Sequence, residues 1–255
     1  VLFRSSWSLS AWPSERLFFG TDDGSGDQLQ GVLHRNGDGP CVVLLHGLTG
    51  CEESFYLLET ARFLLSKDFS LLRLNLRGAG PSRETCRGQY CAGSSDDLYC
   101  VLRQLPAEST RHGIVLVGYS LGGNIVLKFL AEKRRGVDIT CAIAVSAPID
   151  LGAAAQRMMA PRNRLYQEWL LRRMAVEATG GSASVSDAER QAIAAARTVY
   201  DFDNRFVAPR HGYTDAGDYY QNCSAGGMLA DIETPALIIH ARNDPWTPQT
   251  AFENV

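Results

Sequence analysis

Residues 114–130 read IVLVGYSLGGNIVLKFL. Four apolar residues run into Gly118-Tyr119-Ser120-Leu121-Gly122, and helical spacing then resumes at once. Few chains can do this. A strand that becomes a helix with no loop between them strains the backbone of the residue at the bend, and small neighbours on either side avoid clashes. The pattern G-x-S-x-G in this setting predicts a nucleophile, Ser120, with Gly118 and Gly122 making room for the bend. Its hydroxyl would stand at a helix N-terminus, where developing negative charge is favoured.

The flanking periodicity extends the picture. Residues 16–21 and 28–35 flank the turn-rich DDGSGD and predict a hairpin. β-like runs follow at 41–46, 70–78, 113–118, 140–148 and 235–241. Helical spacing occupies 54–67, 96–105 and 122–135 between them. Strands alternating with helices predict an α/β fold, a mostly parallel sheet with helices on both faces. From 151 to 233 no strand is legible. An amphipathic helix is predicted at 163–178, and another over 186–200 that opens with Ser186 and Glu189 as a capping box. The expected organisation is a core from 1–150 and 234–255, with 151–233 as a helical cap inserted at the ligand-binding edge of the sheet.

Two further motifs supply chemistry. His46-Gly47-Leu48-Thr49-Gly50 ends the third strand. Acyl transfer needs two donors for the oxyanion, and the expected pair is the backbone amides of Leu48 and Leu121. His46 is expected to shape the loop rather than carry protons. Asp244, in ARNDPW just past an apolar strand, is expected to orient a catalytic histidine.

That histidine is not in the expected place. In this architecture it follows the acid, yet the residues after Asp244 are PWTPQTAFENV. Of the five histidines, His34 falls in the early hairpin, His46 in the oxyanion loop, and His112 at the opposite end of the sheet from Ser120. His240 lies inside a predicted strand as a core histidine, and His211 is a weak substitute in or near the cap. The expectation is a C-terminally truncated chain, ending within a helix and lacking the last strand and helix. A serine without its base is a weak nucleophile, so this chain alone is expected to be weakly active or inactive.

Composition narrows the alternatives. A net charge of −3 over 255 residues excludes the strongly basic footprint of nucleic-acid binding. No apolar run reaches the length of a membrane span, and the start VLFRSSW lacks secretory-signal order. Seven cysteines without a dense framework fit reduced thiols and a cytoplasmic setting. Nothing calls for a metal or an organic cofactor. Arg162, Arg164, Arg172 and Arg173 alternate with apolar residues. A lipid surface is one partner for such a pattern, and an amphipathic helix on a core carries it equally well. Oligomeric state is not legible.

Taken together, HGLTG, RGAG (77–80), GYSLGGNIVLKFL, VSAPIDL (145–151), FDNRFVAPRHGYTDAGDYY (202–220) and PALIIHARNDPW resemble the YheT-like group of α/β-hydrolases. The resemblance covers nearly the whole chain from about residue 15. It implies a capped α/β-hydrolase fold, serine carboxylesterase activity on small-molecule or lipid esters, Ser120 as nucleophile and Asp244 as triad acid. Some eukaryotic members act on phospholipids or other acyl lipids. One departure is CEESFY after HGLTG, where Cys51 and Glu52 could alter the oxyanion loop. The alternative expectation is a non-catalytic binding protein on the same fold. Dehalogenase and epoxide-hydrolase chemistry is disfavoured, because those uses of the fold place Asp where this chain has Ser120.

Overall fold

The computed structural model describes residues 8–253. Seven strands form one sheet in the order β1-β2-β4-β3-β5-β6-β7. They are β1 Glu15–Gly20, β2 Gln28–His34, β3 Cys41–Leu45, β4 Leu71–Leu74, β5 Ile114–Tyr119, β6 Ile139–Val145 and β7 Ala236–Ile239. β1 and β2 form the predicted hairpin, and β2 also pairs antiparallel with β4. The pairs β3–β4, β3–β5, β5–β6 and β6–β7 are parallel.

Among the described residues, four helices lie between strands of the first part: α1 Phe55–Leu65, α2 Ser95–Gln104, α3 Ala107–Thr110 and α4 Leu121–Ala131. Strand β3 shows why both sheet faces are covered. Val42 and Leu44 pack with Leu57, Ala61 and Leu65 of α1. Val43 and Leu45 pack on the other face with Leu98 of α2 and Ile125 of α4. A strand apolar at every position is buried on both sides, as the sequence predicts.

Between β6 and β7 run six helices: α5 Leu151–Met158, α6 Arg164–Thr179, α7 Asp187–Ala195, α8 Val199–Phe202, α9 Ala208–Arg210 and α10 Ala216–Cys223. Leu170, Met174, Ile193, Phe202 and Phe206 give this segment a small core of its own.

Four expectations need correction. The helix predicted over 186–200 is two helices. Ser186 and Glu189 form the expected capping box on α7, but Thr198 and Asp201 form a second box that starts α8 and breaks the run. The helix predicted at 163–178 forms, yet it is apolar on both faces rather than amphipathic: Leu170 and Met174 are buried, while Leu165 and Val176 are exposed. The strand predicted over 235–241 ends at Ile239. His240 therefore lies past it, half-buried and stacked on Phe252 with ring centroids 4.3 Å apart, not in the core. The helix expected at the chain end is a single 3₁₀ turn, Gln249–Phe252, and its last residues lie outside those described.

The order β4-β3-β5-β6 places a switch point between β3 and β5. The chain leaves β3 towards one edge and β5 towards the other, which opens a crevice at their C-terminal ends. The loops carrying Leu48 and Ser120 both emerge there.

Candidate active site

Ser120 directly follows β5 and caps α4 with φ 51° and ψ −121°, a conformation that non-glycine residues rarely hold. Its neighbours explain how it persists. A Cβ on Gly118 would lie 2.4 Å from the Gly122 carbonyl oxygen, and one on Gly122 would lie 2.5 Å from that of His46. Both obstacles are backbone, so neither glycine can carry a side chain without moving a strand end. Ser120 N–H donates to Val145 O at 2.8 Å, pinning the bend to β6. Leu121 is the first residue of α4, and an N–H at that position has no partner within its own helix.

The oxyanion-loop candidate is equally fixed. Gly47 N–H donates to Tyr56 Oη at 3.0 Å. His46 Nε2 accepts from Leu76 N–H at 3.1 Å, and its Nδ1 lies 2.8 Å from Gly47 O, which makes Nδ1 the protonated nitrogen. Burial pushes the imidazole pKa down to about 4, so His46 is neutral. It shapes the loop, as expected. Glu52 turns away from the cavity. It takes Arg16 at 2.6 and 3.1 Å and Asn75 Nδ2 at 2.6 Å, tying the loop to β1 and to the end of β4.

Ser120, Leu48, Leu121 and Asp244 line one cavity of about 470 Å³ with Tyr56, Tyr90 and Tyr166. Asp244 sits in the loop after β7, where its Oδ1 accepts from the amides of Trp246 and Thr247, both at 2.9 Å. The helical segment holds that loop from above. Asn163 Nδ2 donates to Pro245 O at 2.8 Å, and Tyr166 stacks on Trp246 with centroids 4.1 Å apart.

Sequence reasoning missed the second grip of the helical segment. Thr49, in the oxyanion-loop candidate, has φ 56°. Its N–H donates to Tyr90 Oη at 2.8 Å, and that hydroxyl donates to Glu177 of α6, also at 2.8 Å. Its carbonyl accepts from Arg173 of α6 at 3.1 Å. Helix α6 thus clamps the loop through both backbone polar groups of one strained residue. Burial raises the Glu177 pKa to about 7. Burial likewise raises Asp203, which accepts from Tyr220 Oη at 2.7 Å, to about 7. Asp203 opens a π-helical turn, Asp203–Val207, on the cavity wall. These partners lie up to 124 residues apart, so spacing carries no sign of them. The stretch 202–220 did stand out, and the Asp203–Tyr220 bond joins its two ends.

Among the described residues, no histidine hydrogen-bonds to Ser120 or Asp244. His34 lies beside Arg73, at 3.5 Å, and His112 is exposed before β5. His211 lines the cavity, but burial, with Arg210 and Arg77 nearby, pushes its pKa down to about 4. Among the described residues, no cluster of His, Cys, Asp and Glu could hold a metal ion.

Comparison with known proteins places these features. A family model described as the alpha/beta hydrolase fold matches residues 40–254. The chain is 32% identical over 213 residues to YheT of Escherichia coli, a protein named as an esterase, covering 81% of this chain and 62% of YheT. It is 32% identical over 216 residues to a monoacylglycerol lipase of Saccharomyces cerevisiae, covering 81% of this chain and 48% of the lipase. The chain therefore spans less than two thirds of either relative. Among solved structures, the Pyrococcus furiosus esterase Pf2001 superposes with a TM-score of 0.64 at 20% identity, covering 96% of this chain and 75% of that one, a likeness of fold.

Proposed function

The chain belongs to the α/β hydrolase fold family, and from that premise we propose that it carries the nucleophile, oxyanion donors and acid of a serine hydrolase acting on carboxylic esters. The observation that carries the reading is Ser120 itself. It is held at φ 51° on a strand-to-helix bend, exposed at the wall of an apolar cavity that Asp244 also lines. Esterase and lipase names among the relatives point to ester cleavage.

In this reading Ser120 Oγ bonds to the acyl carbon while its proton passes to an imidazole. The amides of Leu48 and Leu121 receive the negative charge on the carbonyl oxygen. The alcohol leaves with the transferred proton, and water then releases the acid and restores Ser120. Asp244 orients the imidazole. The reading requires an imidazole base, and among the described residues none of the five histidines hydrogen-bonds to Ser120 or Asp244. The helices between β6 and β7 act as the cap, closing over an apolar acyl group through Leu170, Met174, Phe202 and Phe206.

The test is fluorophosphonate labelling and p-nitrophenyl ester turnover, on this chain and on any longer product of the same reading frame. Labelling at Ser120, and turnover lost by at least about a thousandfold in Ser120→Ala, are expected. Turnover retained in that variant would sink the assignment. The same absence of a paired histidine favours a second reading, a binding protein without turnover. No turnover in the longer product, with ligand still held in the cavity, would select it.

A further inference from the structure

Helix α6 is apolar on two opposite faces, and only one of them is covered. A helix apolar on both faces is normally covered on both. Leu170, Met174 and Ala178 of α6 face inward onto the cavity. On the opposite face, four and then seven residues apart, Leu165, Trp169 and Val176 are 82%, 49% and 65% exposed. Scattered exposed apolar side chains are ordinary, but a stripe along one helix face marks a surface that something covers. The stripe does not stop at the helix. Trp169 lies 5.5 Å from the Tyr166 ring, and Tyr166 stacks on the exposed Trp246.

Charge identifies the covering material. Between 162 and 176 there are four arginines and one acid, Glu168, in a chain whose net charge is −3. Glu168 takes Arg164 at 3.1 Å, and Arg173 lies over Trp169 with its guanidinium held to Thr49. Arg162 and Arg172 are exposed beside the stripe. Aliphatic and tryptophan side chains bordered by arginines are the composition of a helix lying in a membrane interface. The rings and alkyl groups enter the acyl boundary, and the guanidinium groups reach anionic headgroups. Among the described residues, no helix is long and apolar enough to cross a membrane.

We propose that the outer face of α6 docks on an anionic lipid surface, with the helix in the interfacial plane and the cavity directly beneath it. That such docking presents lipid-phase esters to Ser120 rests on the hydrolase reading; the docking itself does not.

The test is co-sedimentation of the chain with vesicles of diether phosphatidylcholine, alone or with roughly one diether phosphatidylglycerol in three. These lipids contain no ester bonds, so the outcome is independent of turnover. Expected are binding to the anionic vesicles, release by high salt and a blue shift of tryptophan emission. Leu165→Glu with Val176→Glu should lower partitioning at least about tenfold, with the far-ultraviolet dichroism unchanged. Arg162→Glu with Arg172→Glu should lower it and flatten its salt dependence. Phe18→Glu, at an exposed site on β1, should leave it intact. Equal binding to neutral and anionic vesicles, or binding that survives the change at Leu165 and Val176, overturns the proposal. So does a dimer in sedimentation velocity that those variants dissolve without any vesicle binding, which would make a second copy the occupant.

Discussion

Ser120 and Asp244 face the same cavity with unequal support. Ser120 directly follows β5, which has a parallel partner on each side, β3 and β6. Its bend is shaped by backbone packed so closely that two glycines admit no side chain. Asp244 follows β7, paired only with β6 among the described residues, and Leu237 and Ile239 of that strand are 54% and 48% exposed. Its loop is steadied by the helical segment, through Asn163 and Tyr166. The contrast teaches that one half of the site is preorganised by the core. The other half depends on where the helices above it sit.

The sharpest way to test this contrast is to crowd each region. Gly122→Val would press a side chain into the backbone oxygens of His46 and Leu45. It should cost about 3 kcal/mol or more, or prevent folding, in urea titration. Gly227→Val, in the helical segment, meets nothing within 4 Å and should change stability by less than about 1 kcal/mol.

The two regions should also respond oppositely to pH. Glu177 and Asp203 have folded-state values raised by burial to about 7, above their unfolded ones. Their contribution is full below the unfolded values and is lost as pH rises through about 7. His46 in the core is depressed to about 4, so its contribution is full above the unfolded value and is lost as pH falls from about 6.5 to about 4. Glu177→Gln removes one titration and keeps an acceptor for Tyr90. The variant should gain on the parent between pH 5 and 8 by up to about 3 kcal/mol, read from denaturation midpoints. A gain that ran towards acid would contradict the burial of Glu177.

Loosening the loop that carries Asp244 comes next in size. Asn163→Ala removes the donor to Pro245 O. In a turnover-competent form it should lower kcat about tenfold, with KM little changed and stability lowered by about 1 kcal/mol. An unchanged kcat would mean that the loop after β7 holds itself. The smallest effect is expected at the sheet edge, where Leu237→Thr should shift stability by about 0.5 kcal/mol or less.

Legibility followed the range of the interactions. The clash that keeps Gly118 bare beside Ser120, the turn of the hairpin and the capping box of α7 rest on contacts within a few residues, and the sequence announces them. The break between α7 and α8 was hidden, because helical spacing continues across a cap that only Thr198 and Asp201 signal. His240 was misplaced by two residues of strand length, which moved it from the core to a stacking contact with Phe252. The clamp on Thr49 could not be read, since Tyr90, Arg173 and Glu177 meet it only after the sheet and the helices above it have formed.

By itself, then, the sequence determined the α/β class and the strand-to-helix bend at Ser120, because hydrophobic periodicity and the clash between Gly118 and Gly122 act locally along the chain. The tertiary structure alone decided that the two carboxyls Glu177 and Asp203 on the cavity wall would be buried with raised pKa values and that the oxyanion-loop candidate would be gripped from α6. It alone decided, too, that the outer face of α6 would be left bare. Desolvation and long-range hydrogen bonds depend on which distant surfaces meet, and spacing along the chain does not encode that.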